Sequence, residues 1–172
     1  MTFTESIKES LEIVKLNREA YRRTAENPET FTWALVITAI AGVSSGLGPG
    51  MIGSAGFVWL PIAALAGLFI GVGIMHLLAM LFGGQGDFMG FVKVCGFGRI
   101  VGWAGVIPFV GGLVQLWMLP IVFIALQEHH KLDTAKAVIV LLIPTVVFGL
   151  LAIIMGAFIG AAILGGAFLG GH

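Results

Sequence analysis

Three uninterrupted stretches of this chain carry no Asp, Glu, Lys or Arg: Thr30–Gly86, Ile100–Gln127 and Ala137–His172, of 57, 28 and 36 residues. A helix that crosses a bilayer needs about 20 apolar residues. Each stretch is therefore long enough for at least one crossing, and the first is long enough for two. Composition agrees: 58% of the 172 residues are hydrophobic and 10% are charged, against roughly 25% charged in an ordinary soluble domain. A soluble fold of this size could not hide so much apolar surface and still cover its exterior with charge. A soluble enzyme, a nucleic-acid-binding domain and a disordered tail are thereby excluded. An all-α integral membrane domain is expected.

Breaks within the stretches set the number of crossings. Gly46-Leu47-Gly48-Pro49-Gly50 cannot continue a helix comfortably, so the first stretch divides there. The middle stretch reads in two ways. It is either one long span, or the end of a third helix that begins near Phe88 and includes Lys93 and Arg99, followed by a turn at Pro108 and Gly111-Gly112 and a fourth helix.

Charge placement favours the second reading. Basic residues near span ends prefer the cytoplasm. With five spans and an inside N-terminus, all nine basic residues fall on the cytoplasmic side or in the inner leaflet, and all nine carboxylates fall on that side too. With four spans, Lys131 and Lys136 would lie outside. The expectation is a five-helix transmembrane bundle with helices near 31–48, 55–82, 88–107, 109–127 and 134–169, preceded by a leader over residues 1–30. The last helix is long for one span, so a kink at Pro144, a strong tilt, or a further re-entrant segment near Gly165-Gly166 would each accommodate it.

Residues 2–27 read as an amphipathic helix. Phe3, Ile7, Leu11, Val14 and Tyr21 form its apolar stripe, and Asn27-Pro28 ends it. This leader is polar and acidic, so no cleavable signal peptide is expected. Glycine pairs at spacing four, Gly67/Gly71, Gly98/Gly102 and Gly156/Gly160, read as seams where helix backbones approach closely. A homo-oligomer joined through such faces is the alternative. Cys95 is the one cysteine, which leaves no intrachain disulfide or cysteine cluster.

Polar groups near the inner end are the candidates for chemistry. His76 and Arg99 lie at similar estimated depth, where ionisable groups are costly and usually face a bundle interior or water. They are expected to approach one another, with Arg99 paired to a carboxylate or a lipid phosphate. A structural hydrogen bond for His76 and snorkelling for Arg99 are the plainer readings. Gly83-Gly84-Gln85-Gly86-Asp87 forms the turn between the second and third spans, with Asp87 as a candidate cap. Glu128-His129-His130-Lys131-Leu132-Asp133-Thr134 forms the turn between the fourth and fifth. Two adjacent histidines on a helix point about 100° apart, and no His-Glu-x-x-His spacing occurs, so neither a metal site nor a catalytic site is expected. No cofactor is expected either.

Taken in order, these features resemble the Yip family of integral membrane proteins. Asn27-Pro28 leads into the first span. His76 precedes Phe82-Gly83-Gly84-Gln85-Gly86-Asp87-Phe88, similar to the family's histidine followed by a Gly-Gly-x-Gly-x-Phe turn. Pro108, Trp117, Ala125–His130, Thr134–Ala137 and Pro144 then follow in sequence. The resemblance implies five helices with a cytoplasmic N-terminus. Eukaryotic relatives interact with Rab GTPases in vesicle traffic, through a longer N-terminal region with an Asp-Leu-Tyr-Gly-Pro-like motif. This chain has no such motif and looks more like the compact prokaryotic members, which implies a prokaryotic cell membrane and does not carry Rab binding over.

The expected function is a non-enzymatic membrane module that recruits a cytoplasmic partner or organises inner-leaflet lipid. The surface expected to do so comprises His76, Gly83, Gly84, Asp87, Arg99, Glu128, His129 and Lys136. The bilayer itself is the first partner, and nucleic acid is not one. A small transporter or channel is the alternative reading. It would need a polar path through the bundle, for which Gln115, a few hydroxyls and glycine-exposed carbonyls are the available groups.

Overall fold

The structure is a computed structural model that describes residues 1–46, 56–107 and 110–169. Its described residues are helical throughout, joined by short turns. In chain order these are α1 (Phe3–Val14), α2 (Arg18–Glu26), α3 (Thr30–Gly46), α4 (Gly56–Leu81), α5 (Phe88–Gly98), a 3-10 segment (Arg99–Val106), α6 (Val110–Gln115), α7 (Met118–Glu128) and α8 (Thr134–Leu169). The expected break at Gly46–Gly50 falls largely outside the described residues, and Pro108 lies outside them too.

Among the described residues, three helices are long and apolar enough to cross a membrane: Val58–Leu81, Phe88–Val106 and Thr134–Ala161. Thr30–Ser45 and Leu113–Glu128 are apolar but shorter. α8 runs as one helix through Pro144 and through Gly165-Gly166, with no re-entrant turn up to Leu169. Its 36 residues would reach about 54 Å, well beyond the roughly 30 Å hydrocarbon core.

The leader departs from expectation. It is two helices, not one. Thr2 and Glu5 form a reciprocal capping box at the start of α1, with Thr2 N–H donating to Glu5 Oε2 at 2.7 Å and Glu5 N–H to Thr2 Oγ1 at 3.3 Å. Leu16 then adopts φ 62°, a left-handed conformation that ends the helix. Asn17 caps α2 by accepting from Glu19 N–H at 3.2 Å. The buried stripe is also rotated from the expected one: Ser6, Ser10 and Ile13 face inward, whereas Phe3 and Leu11 are exposed. Small serines let α1 lie close against its neighbours.

The hairpin so formed packs on α5 and α7. Tyr21 is fully buried and its hydroxyl donates to Ile13 carbonyl at 3.0 Å, tying the two leader helices together. Trp117 Nε1 donates to Val14 carbonyl at 2.9 Å, and Arg18 bridges Glu128 at 2.5 Å and the Gln127 side chain at 3.0 Å. α5 is covered on every side, with Gly90 through Gly98 all buried.

Glycine decides how the helices meet. A Cβ on Gly96 would lie 2.7 Å from Ala34 Cβ, one on Gly98 2.8 Å from Ile121 Cγ2, and one on Gly102 3.1 Å from Ala41 Cβ. Gly42 similarly meets the α4 backbone, at 2.7 Å from Leu60 carbonyl oxygen. Gly98/Gly102 is therefore a packing seam. Gly67/Gly71 and Gly156/Gly160 are not: a Cβ at any of the four would meet nothing within 4 Å. No described helix packs closely on those glycines, and Gly71 instead borders a cavity.

Candidate functional site at the charged end

The α4–α5 and α7–α8 turns lie against one another at one end of the bundle. Each forms for local reasons. Gly83 takes φ 89°, closed to most L side chains, so that Gly84 N–H can turn back to Ala79 carbonyl at 2.8 Å and terminate α4. Asp87 caps α5, its Oδ1 accepting from Gly90 N–H at 2.7 Å. On the other side Asp133 Oδ1 accepts from Lys136 N–H at 3.0 Å at the start of α8, and Gln127 Nε2 donates to Thr134 Oγ1 at 3.0 Å. Lys131 has φ 57° and swings the chain out between α7 and α8.

Two hydrogen bonds lock the turns together. Gln85 N–H donates to His130 carbonyl at 3.0 Å. His129 Nε2 lies 2.7 Å from Asp87 carbonyl; a carbonyl only accepts, so Nε2 carries the proton. The glycines supply the clearance. A Cβ on Gly86 would come within 2.5 Å of His129 Cδ2, and one on Gly90 would overlap the same ring. A Cβ on Gly84 would lie 3.2 Å from His130 Nδ1.

Behind the turns stands a histidine cluster. His76 Nδ1 and His130 Nε2 are 3.5 Å apart, and Phe91 stacks on His129 at 6.4 Å and meets His130 edge-on at 4.8 Å. His130 is fully buried, and its Nδ1 has no hydrogen-bond partner. Burial first, then the neighbouring His129 and His76, pulls its pKa down to about 4. The ring is neutral at physiological pH. For Asp87, partial burial pushes upward, but the Gly90 N–H and His129 outweigh it and hold the carboxyl below its ordinary range. No group of three metal-ligating side chains occurs among the described residues.

Of the residues singled out from sequence, His76, Gly84, Asp87 and His129 come together here. Gly83 shapes the turn without touching the cluster. Glu128 faces the leader through Arg18. Lys136 pairs with Asp133 at 3.8 Å. Arg99 does not join His76. It lines a cavity between α4, α5, α7 and α8, whereas His76 meets His130 and Phe88. His130 was not singled out, although it is the most buried of the cluster. Its only signal was adjacency to His129, and its inward direction follows from the chain leaving α7 after Glu128, with His129 as the C-cap.

Exposed around the locked turns are Gln85, Asp87, Lys131 and Asp133. Every Asp, Glu, Lys and Arg of the chain lies on the leader, at these turns or in the first turn of α8, except Lys93 and Arg99 on the third apolar segment. Lys93 is 8% exposed and donates to Asn27 carbonyl at 3.1 Å, so it is tied to the junction between leader and α3.

Comparison with known proteins gives one family. The model of the Yip1 domain matches residues 11–156. No curated protein and no solved structure gives a significant match.

Proposed function

The chain belongs to the Yip1-domain family, and on that premise we propose that it is a non-enzymatic membrane module whose charged end recruits a protein partner or organises lipid of the inner leaflet. It crosses the bilayer five times, with the leader hairpin and both locked turns in the cytoplasm. The observation that carries this reading is the cross-locking of the two turns by the Gln85–His130 and Asp87–His129 hydrogen bonds. The locking holds exposed polar side chains in one fixed array. A preformed surface loses little conformational freedom when it binds. The five crossings are supported by the helix positions and by the segregation of charge, since basic residues near span ends favour the cytoplasm.

Two experiments test the reading. Photo-crosslinking side chains placed at Gln85 and Asp133 in native membranes should give discrete adducts, with a protein or with lipid. Asp87→Asn combined with Lys136→Gln should diminish them. Adducts indistinguishable from those formed at Leu150, on the exposed face of α8, would refute the surface. For orientation, Lys131→Cys should react with an impermeant maleimide only when the cytoplasmic side is opened. Reaction from the exterior would overturn the five-crossing arrangement.

A further inference from the structure

Arg99 stands at the junction of α5 and the 3-10 segment, eleven residues beyond Phe88, or roughly 16 Å along the helix. Its surroundings are a cavity of about 290 Å³ formed by α4, α5, α7 and α8. Apolar side chains dominate the lining, among them Val72, Phe91, Val122 and Phe148. The polar contributors are Arg99, Gln115, Thr145 and the thiol of Cys95. Thr145 already spends its hydroxyl on Leu141 carbonyl at 2.6 Å.

A guanidinium in such a place needs a counter-charge, because an unpaired cation among apolar groups is costly. All nine Asp and Glu side chains are among the described residues, and none forms an ion pair with Arg99. Its Nε is buried without a hydrogen-bond partner. Among the described residues the Arg99 Nε is thus left without a partner at the rim of an apolar hollow.

The leader places this level near water. Gly98, the residue before Arg99, packs on Ile121 and Met118, so Trp117 lies at about the same height. Trp117 in turn reaches Val14, next to exposed Lys15. A head-group layer that follows the charged leader therefore rises to Arg99 on this side of the bundle.

We propose that the cavity is a lipid site: Arg99, assisted by the Gln115 amide, holds the phosphate of an anionic phospholipid, and one acyl chain fills the apolar hollow. The guanidinium matches phosphate in charge and in bidentate geometry. The hollow is at the small end of ligand cavities, which suits one chain and not a whole lipid. This site is distinct from the locked turns, from which Phe91 separates it.

The test uses the full chain, purified in mild detergent and equilibrated with equal amounts of phosphatidylglycerol and phosphatidylcholine, with retained lipids counted by native mass spectrometry. The wild-type chain should keep one phosphatidylglycerol in preference to phosphatidylcholine. Arg99→Gln should lower that preference roughly tenfold, the loss expected for a charge-assisted hydrogen bond, and Arg99→Lys should restore part of it. Gly71→Phe fills the cavity from a position whose Cβ meets nothing within 4 Å, and should lower retention of both lipids without depending on the arginine. If Arg99→Gln does not fold, Arg99→Lys and Gly71→Phe decide. Equal retention of the two lipids by the wild-type chain, retention unaffected by either type of variant, or displacement of phosphatidylglycerol by oleate would each overturn the proposal. Loss of protein adducts at Gln85 and Asp133 would bear on the turns alone and leave this result standing.

Discussion

Gly96→Ala separates a seam that depends on neighbours from one suggested by spacing. The new Cβ would stand 2.7 Å from Ala34 Cβ and 3.1 Å from Ala34 carbonyl oxygen. Carbon atoms in contact prefer about 3.5–4.0 Å, so α3 must retreat by about 1 Å along a tightly packed face. Neither obstacle can rotate away, since one is a methyl fixed to the backbone and the other is the backbone itself. Overpacking of this kind costs about 1–3 kcal/mol. Alanine regains up to about 1 kcal/mol of helix propensity, but it does so equally at Gly156, where a Cβ meets nothing within 4 Å. The difference between Gly96→Ala and Gly156→Ala isolates the steric term. Reversible unfolding in mixed detergent and SDS, followed by far-ultraviolet circular dichroism, should place Gly96→Ala about 1–3 kcal/mol below Gly156→Ala. Equal stabilities within about 0.5 kcal/mol would refute the claim that α3 and α5 meet through Gly96.

Trp117→Phe removes the donor to Val14 carbonyl and should loosen the leader by about 1 kcal/mol, seen as faster hydrogen exchange over residues 3–14; unchanged exchange there would argue against the docked hairpin. His130 has its pKa lowered to about 4 in the folded chain from an ordinary 6.5, so the unfolded state binds more protons between those values. Stability is full above pH 6.5 and falls by about 3 kcal/mol as pH drops toward 4; His130→Gln should flatten that part of the profile, and an unchanged slope would exclude His130 as its source. Lys93→Met replaces a buried ammonium held by one carbonyl with an apolar side chain of similar length. It should be neutral or stabilising, and a drop in unfolding free energy beyond about 1 kcal/mol would mean that Lys93 has a partner beyond Asn27.

The helices past residue 30 were legible because absence of charge over long runs is a property of the sequence alone. Glycines at Gly83-Gly84 marked one of the turns, and Asp87 and Asp133 stood where caps belong. The leader was harder. Its break depends on Leu16 adopting a left-handed conformation without being glycine; Asn17 before Glu19 was the one local hint of a second helix start. Which face of α1 turns inward was settled by tertiary packing, which buries Ser6 and Ser10 and leaves Leu11 exposed. The glycine pairs show the limit most clearly. Gly98/Gly102 and Gly156/Gly160 have the same spacing, yet among the described residues only the first has another helix against it. Likewise, His76 and Arg99, expected at one depth, stand apart along the bundle: His76 meets Phe88 at the start of α5, whereas Arg99 lies eleven residues further on.

The docked leader also orders events during synthesis. Val14 is held by Trp117 and Arg18 by Glu128, contacts separated by 103 and 110 residues. At about 5–20 residues per second, the ribosome needs several seconds after making the leader before either anchor exists. Once α5 has been made the leader has a surface to pack on, but it still lacks both anchors. The leader is thus made well before it can settle, a latch that shuts only once α7 has been made.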